Sequence, residues 1–126
     1  MIQYVGIPFK EMNCGDLALK VQAEIYGNKF DYSYVKPQSE NVFSYSIAMQ
    51  KNLFDFMEYE IKNPIDGCAV LMKIRGRLSH LGTYFKQKNT EYVLHTADQF
   101  GSSVIHKICD LRKHNIEVEG FYKWKS

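Results

Sequence analysis

The stretch Ser79–Ala97, "SHLGTYFKQKNTEYVLHTA", decides how the chain folds. Two apolar runs, His80–Phe85 and Glu91–Thr96, rich in β-branched and aromatic residues, flank the polar segment Lys86–Thr90. That pattern predicts two antiparallel strands joined by a short loop. With the turn centred on Gln87-Lys88, His80 stands directly opposite His95 and both rings project from one face. Opposite residues hold their Cβ atoms roughly 4.5–5.5 Å apart, close enough for one imidazole to orient the other. A one-residue slip without a bulge turns one ring away. Gln-Lys is a poor type I′ turn, and Asn89 suits the left-handed position of a longer loop.

Further strands surround this hairpin. "GCAVLMKI" (Gly67–Ile74) is a continuous apolar run that reads as a buried strand. "SVIHKIC" (Ser103–Cys109) and "VEGFYKW" (Val118–Trp124) read as two more, separated by the turn-like "RKHN". Upstream, Asn13 is a helix-capping residue, and Leu17, Val21 and Ile25 follow at helical spacing. A first helix is expected over 14–26, with Gly27-Asn28 as its stop. A second is expected from Ser39 to Asn63, where Val42, Phe43, Ile47, Leu53, Phe54 and Met57 fall near helical spacing before Pro64. Helices followed by consecutive strands describe an α+β domain spanning 1–126, its N-terminal helices packed on an antiparallel sheet of about five strands.

The 126 residues suffice for one domain with its own core, and 45% hydrophobic content supports a folded chain. A net charge of +2 is too small to imply nucleic acid as a partner. The basic residues near the C-terminus (Lys107, Arg112, Lys113, Lys123, Lys125) are interrupted by Asp110, Glu117 and Glu119, the pattern of a solvated face. Cys14, Cys68 and Cys109 form no CxxC pair, and their odd number disfavours a disulfide framework. Reduced thiols point to synthesis and folding in the cytoplasm. Met1–Lys10 lacks the apolar run of a signal peptide, and no stretch approaches the roughly 20 apolar residues of a membrane span.

Cys14 falls in the first helical turn, where the helix dipole favours a thiolate. It is either a nucleophile or a small apolar residue at the top of a core, and the choice turns on a partner base. His80 and His95 are the candidate partners. Cys68, and with it Cys109, reads as buried and inert. His106 faces core or solvent within its strand, and His114 reads as a surface turn residue. Arg75 and Arg77 form either a solvated turn or a reception point for an anionic peptide. Zinc on Cys14, His80 and His95 is chemically possible, but no close ligand pair anchors it.

From Gly6 to Trp124 the chain resembles the NlpC/P60 family of papain-like cysteine peptidases, in its phage and prophage tail-assembly branch. "GIPF…NCGDLALKV" is similar to the family's Gly-x-Pro-Tyr/Trp segment followed by Asp-Cys-Ser/Trp-Gly-Leu-Val. "NPIDGCAVLM" resembles Pro-x-x-Gly-Asp-Leu-Val, and "HLGTYF" resembles His-Val-Gly-Ile-Tyr, the most specific match. "YVLHTAD" and "VEGFYKW" resemble the strand ending in the third catalytic residue and the closing strand.

The resemblance implies a papain-like fold with Cys14 as nucleophile, His80 as general base and His95 orienting it, without cofactor or metal. The Cys14 N–H would contribute to holding the oxyanion. Phe9, Gly15, Asp16 and Ser79 are the expected substrate-side positions. The implied substrate is an amide bond in peptidoglycan (murein) stem peptides, typically between γ-D-glutamate and a diamino acid. The implied setting is a phage tail tip at the bacterial cell wall, with other tail proteins as partners. Departures stand beside these matches. Asn13 replaces the usual Asp, Gly15-Asp16 replaces Ser/Trp-Gly, and Phe9 replaces a tyrosine. The loop before the cysteine shrinks to "KEMN", and Asp66-Gly67 inverts Gly-Asp. The rival reading is a catalytically weak or inactive structural tail-assembly protein of the same fold, and a third is an amidase or acyltransferase with another substrate.

Overall fold

In the computed structural model, which describes residues 1–30 and 56–125, the first long element follows from its cap. The Asn13 side chain accepts the Asp16 N–H at 3.0 Å, and the Asp16 carboxylate accepts the Asn13 N–H at 3.3 Å. This reciprocal capping box opens helix α1 (Cys14–Ile25), which closes at Tyr26 before Gly27 turns left-handed at φ 72°. Leu17, Ala18, Leu19 and Val21 are buried, whereas Ile25, expected on the buried stripe, is exposed.

The sheet dominates. Its strands are β1 (Met57–Ile61), β2 (Ala69–Ile74), β3 (Arg77–Gln87), β4 (Thr90–Thr96), β5 (Ser103–Lys107) and β6 (Ile116–Trp124), in the spatial order β1-β6-β2-β3-β4-β5. Every pairing between them is antiparallel. This corrects the papain-like NlpC/P60 arrangement of N-terminal helices on about five strands: the chain is mostly antiparallel sheet, with six strands and one α-helix among the described residues. The expected helix Ser39–Asn63 is overturned at its C-terminal end, and its earlier part lies outside the described residues. "MEYEI" alternates apolar and polar residues in sequence, exposes Glu58, Tyr59 and Glu60, and pairs with β6 as β1 with a break in register between Met57 and Tyr59. The fourth predicted strand stops at Lys107, because Ile108–His114 winds into a 3-10 helix that ends at left-handed Asn115.

Two-residue turns set the register of the central strands. Arg75 (φ 51°) and Gly76 (φ 80°) join β2 to β3, and Lys88 (φ 49°) and Asn89 (φ 66°) join β3 to β4. Paired left-handed residues match the twist of a hairpin. The second turn sits one residue beyond the predicted centre, so His95 pairs with Gly82 and not with His80. The displacement along the strand is two residues, which preserves the face of every side chain.

Alternation along β2 and β3 divides the core. Ala69, Leu71 and Leu81 meet Cys14, Ala18 and Leu19 of α1, with Met57 and Trp124 alongside. Leu17 and Val21 meet Phe85, Leu94 and Tyr4 on the same side. Cys68, Val70, Met72, Tyr84 and Val93 project to the other side, where Leu111 of the 3-10 helix and Ile116 cover them. Burial on both faces explains why β2 reads as an unbroken apolar run. At the β5 end, Gly6 donates to Ser103 O at 3.0 Å, Ser103 donates to Ile7 O at 2.9 Å, and Phe9 donates to Gly101 O at 3.0 Å.

Gly82 shares the second face, and it is glycine because of a close approach. A Cβ there would lie 2.5 Å from Val93 Cγ2 and 3.0 Å from both Leu94 O and Met72 Cε. Overpacking of a dense core typically costs about 1–3 kcal/mol. Gly82→Ala is expected to lose stability in that range, measured as a lower urea midpoint at unchanged slope; an unchanged midpoint would refute the packing described.

Candidate functional site

His80 and Gly82 project from the same side of β3, and His95 pairs with Gly82. The rings of His80 and His95 meet diagonally, while the space beside the Gly82 Cα is taken by Val93 and Met72. His80 Nε2 lies 2.6 Å from His95 Nδ1, with the ring centroids 4.9 Å apart and the planes at 68°. The line continues outward. His95 Nε2 lies 2.8 Å from His106 Nδ1 on β5. The His106 ring stacks on His114 of the 3-10 helix at 4.4 Å and 22°.

His80 and His95 are buried at 2% and 0% exposure. Burial is the largest cause pulling both below the usual 6.5 of an imidazole; neighbouring His106 adds to the effect at His80, and His80, His106 and His114 add to it at His95. Both rings are therefore neutral at neutral pH, and each has one nitrogen able to accept a proton. His106, half-buried, is lowered by burial and then by His114, while Asp110 pulls it the other way. Direct nitrogen–nitrogen contact leaves no room for an ion between the rings, since nitrogens sharing a zinc at about 2.0–2.1 Å stand farther apart. Among the described residues, no group of three or more His, Cys, Asp or Glu is arranged to hold a metal.

Of the predicted triad, the structure brings together the two histidines. Cys14 is buried at the first position of α1 and packs with Leu71 and Leu81. His80 and Leu81 are consecutive in β3, so their side chains leave opposite faces of the sheet. The thiol and the imidazole pair lie on different sides. Of the substrate-side positions, Phe9 is half-buried, Gly15 is buried, and Asp16 spends its carboxylate on the capping box. Ser79 belongs to β3 beside the break in register opposite Met72–Lys73.

Cys68 is buried and its thiol is pushed up to about 11, mainly by burial. Cys109 is exposed, against the expectation of a buried residue, because its strand ends two residues earlier. His106 and His114 are the residues that sequence reading left without a part. A cavity of about 130 Å³ touched by Gln22, Tyr26, Asp66, Cys68 and Trp124 includes none of the predicted triad. No helix among the described residues is long and apolar enough to cross a membrane. Comparison with protein-family models, curated proteins and solved structures finds no match.

The buried pair makes stability depend on pH. The unfolded chain binds protons at His80 and His95 near pH 6.5, whereas the folded chain resists until a lower pH. Stability from these groups is thus complete above 6.5 and is lost as pH falls, by up to about 1.4 kcal/mol per pH unit for each ring. Urea denaturation between pH 7.5 and pH 5 is expected to show a falling midpoint. A flat profile would mean that the rings are not buried as neutral groups.

Proposed function

We propose that this chain is a cysteine hydrolase that cleaves an amide bond in murein stem peptides, working at the tip of a phage or prophage tail. The observation that carries this reading is the buried His80–His95 pair, a neutral base held by a second imidazole. Its sequence support is the Cys-His-His order set within motifs resembling those of NlpC/P60 peptidases. The reaction requires the Cys14 thiol to reach the histidine side of the sheet, where His80 takes its proton on Nδ1, the nitrogen not engaged by His95. The thiolate adds to the stem-peptide carbonyl, and the oxyanion meets the N–H groups at the start of α1. Protonated His80 then gives its proton to the leaving amine, and water releases the acyl group. Asp16 suits this chemistry, because the capping box commits its carboxylate to the helix backbone.

A second reading rests on where Cys14 lies. Nucleophilic attack needs the thiol and His80 on one side of the sheet, and here Cys14 packs among Leu71 and Leu81. That placement favours a structural tail-assembly protein in which Cys14 fills the core.

Mass analysis of a stem peptide containing γ-D-glutamyl-diamino acid separates the two. The hydrolase cleaves it, with Cys14→Ala and His80→Ala each reducing cleavage at least about a hundredfold and His95→Ala retaining more. A mild alkylating agent at neutral pH should then label Cys14 at least as fast as exposed Cys109, with Cys68 silent. Intact peptide, together with labelling at Cys109 alone in the folded protein, would establish the structural reading.

A further inference from the structure

The proposed reaction uses two of the four histidines, yet all four stand in line. His80 and His95 are buried, His106 and His114 are half-buried, and the line runs outward across four elements. Phe100 walls it, with ring centroids 5.4 Å from His95, 5.0 Å from His106 and 5.5 Å from His114. Each nitrogen–nitrogen link joins Nε2 of the inner ring to Nδ1 of the outer one.

A neutral imidazole carries one N–H, so each link dictates the next. If His106 Nδ1 accepts, His95 must carry its proton on Nε2, which leaves His95 Nδ1 as an acceptor. His80 must then carry its proton on Nε2, and its Nδ1 lone pair is free. If His106 Nδ1 donates, the order reverses and His80 ends with Nδ1 already protonated. The outer ring decides whether the inner ring is a base.

We infer that His106 is a positioning residue that, through His95, holds His80 in the tautomer with a basic Nδ1 and receives the proton charge that His80 takes up. The use of that proton in hydrolysis rests on the proposed function; the relay itself does not. When His80 Nδ1 gains a proton, the His80 Nε2–H proton passes to His95 Nδ1. The His95 Nε2–H proton then passes to His106 Nδ1. One proton has entered, each inner ring again holds one, and His106 holds two. The charge comes to rest where burial is least severe. The groups facing His106 there are His95, stacked His114, and Asp110, whose carboxylate favours the charged ring and also meets Lys113 at 3.3 Å.

The test is long-range proton–nitrogen correlation NMR on the full chain, which reports the tautomer of each imidazole. At pH 7 the native chain is expected to carry Nε2–H at His80 and His95, and on acidification His106 protonates before either of them. His106→Phe keeps an aromatic ring against Phe100 and His114 but removes the acceptor, and a population of Nδ1–H should appear at His80. His106→Asn supplies a carbonyl oxygen and should restore the native tautomer. On the stem peptide, His106→Phe should lower kcat at least about tenfold with little change in KM, because a mis-set tautomer at a catalytic histidine is costly, and His106→Asn should recover most of the loss. Nδ1–H at His80 in the native chain, or His80 tautomers indifferent to His106→Phe, would overturn the inference. Tautomers that shift as described in a chain that cleaves no peptide would leave the relay standing and remove the hydrolase reading. Should His106→Phe not fold, the native spectrum and His106→Asn decide the matter.

Discussion

Two left-handed residues, Lys88 and Asn89, fix which side of the sheet every residue of β3 and β4 occupies. Side chains alternate with a period of two, so a one-residue slip of β4 against β3 would carry His95 and Val93 to the helix side and bring Leu94 out. Beyond the register break at Ser79, the odd positions Leu81 and Phe85 of β3 meet α1, and the even position Tyr84 packs with the 3-10 helix residue Leu111. Leu78, before the break, packs on the α1 side. The imidazole line descends from that parity.

Much of the sheet was legible in the sequence because period and burial agree there. The run Ala69–Met72 is buried on both faces and reads as unbroken apolar sequence, and the β3–β4 hairpin carries β-branched and aromatic residues around a polar turn. The second helix misled at its end for a definite reason. Leu53, Phe54 and Met57 fall at helical intervals in the sequence, but Met57–Ile61 pairs with β6, and that long-range pairing selects the strand. Ile108 and Leu111 looked like the close of a strand followed by a turn. They form a cover because a 3-10 helix brings residues three apart onto one side.

At the site, composition and spacing found the histidine pair but misplaced its geometry by two residues, an error that parity forgives. Gly82, opposite His95, is glycine because Val93 and Met72 close in on its backbone, a packing demand that no local pattern announces. Local signals located Cys14 at a capped helix start, and the Asn13–Asp16 box bears this out. They carry no information on which face of the sheet the helix would cover, since that depends on contacts far apart in the chain. The outer pair, His106 and His114, was invisible for the same reason. They meet because a 3-10 helix folds back over β5, and neither position is marked by any local pattern.

The hydrogen bonds that bind Gly6–Phe9 to Gly101–Ser103 have a colloidal consequence. An outer strand with open backbone groups is a template on which another chain can add, and from there a polymer can grow. Here the protein supplies its own N-terminal segment at the start of β5, and exposed Lys107 stands at the other end with a charge that a stacked copy would have to bury. A few residues ahead of the first helix thus occupy the start of the β5 edge, where another chain would otherwise add.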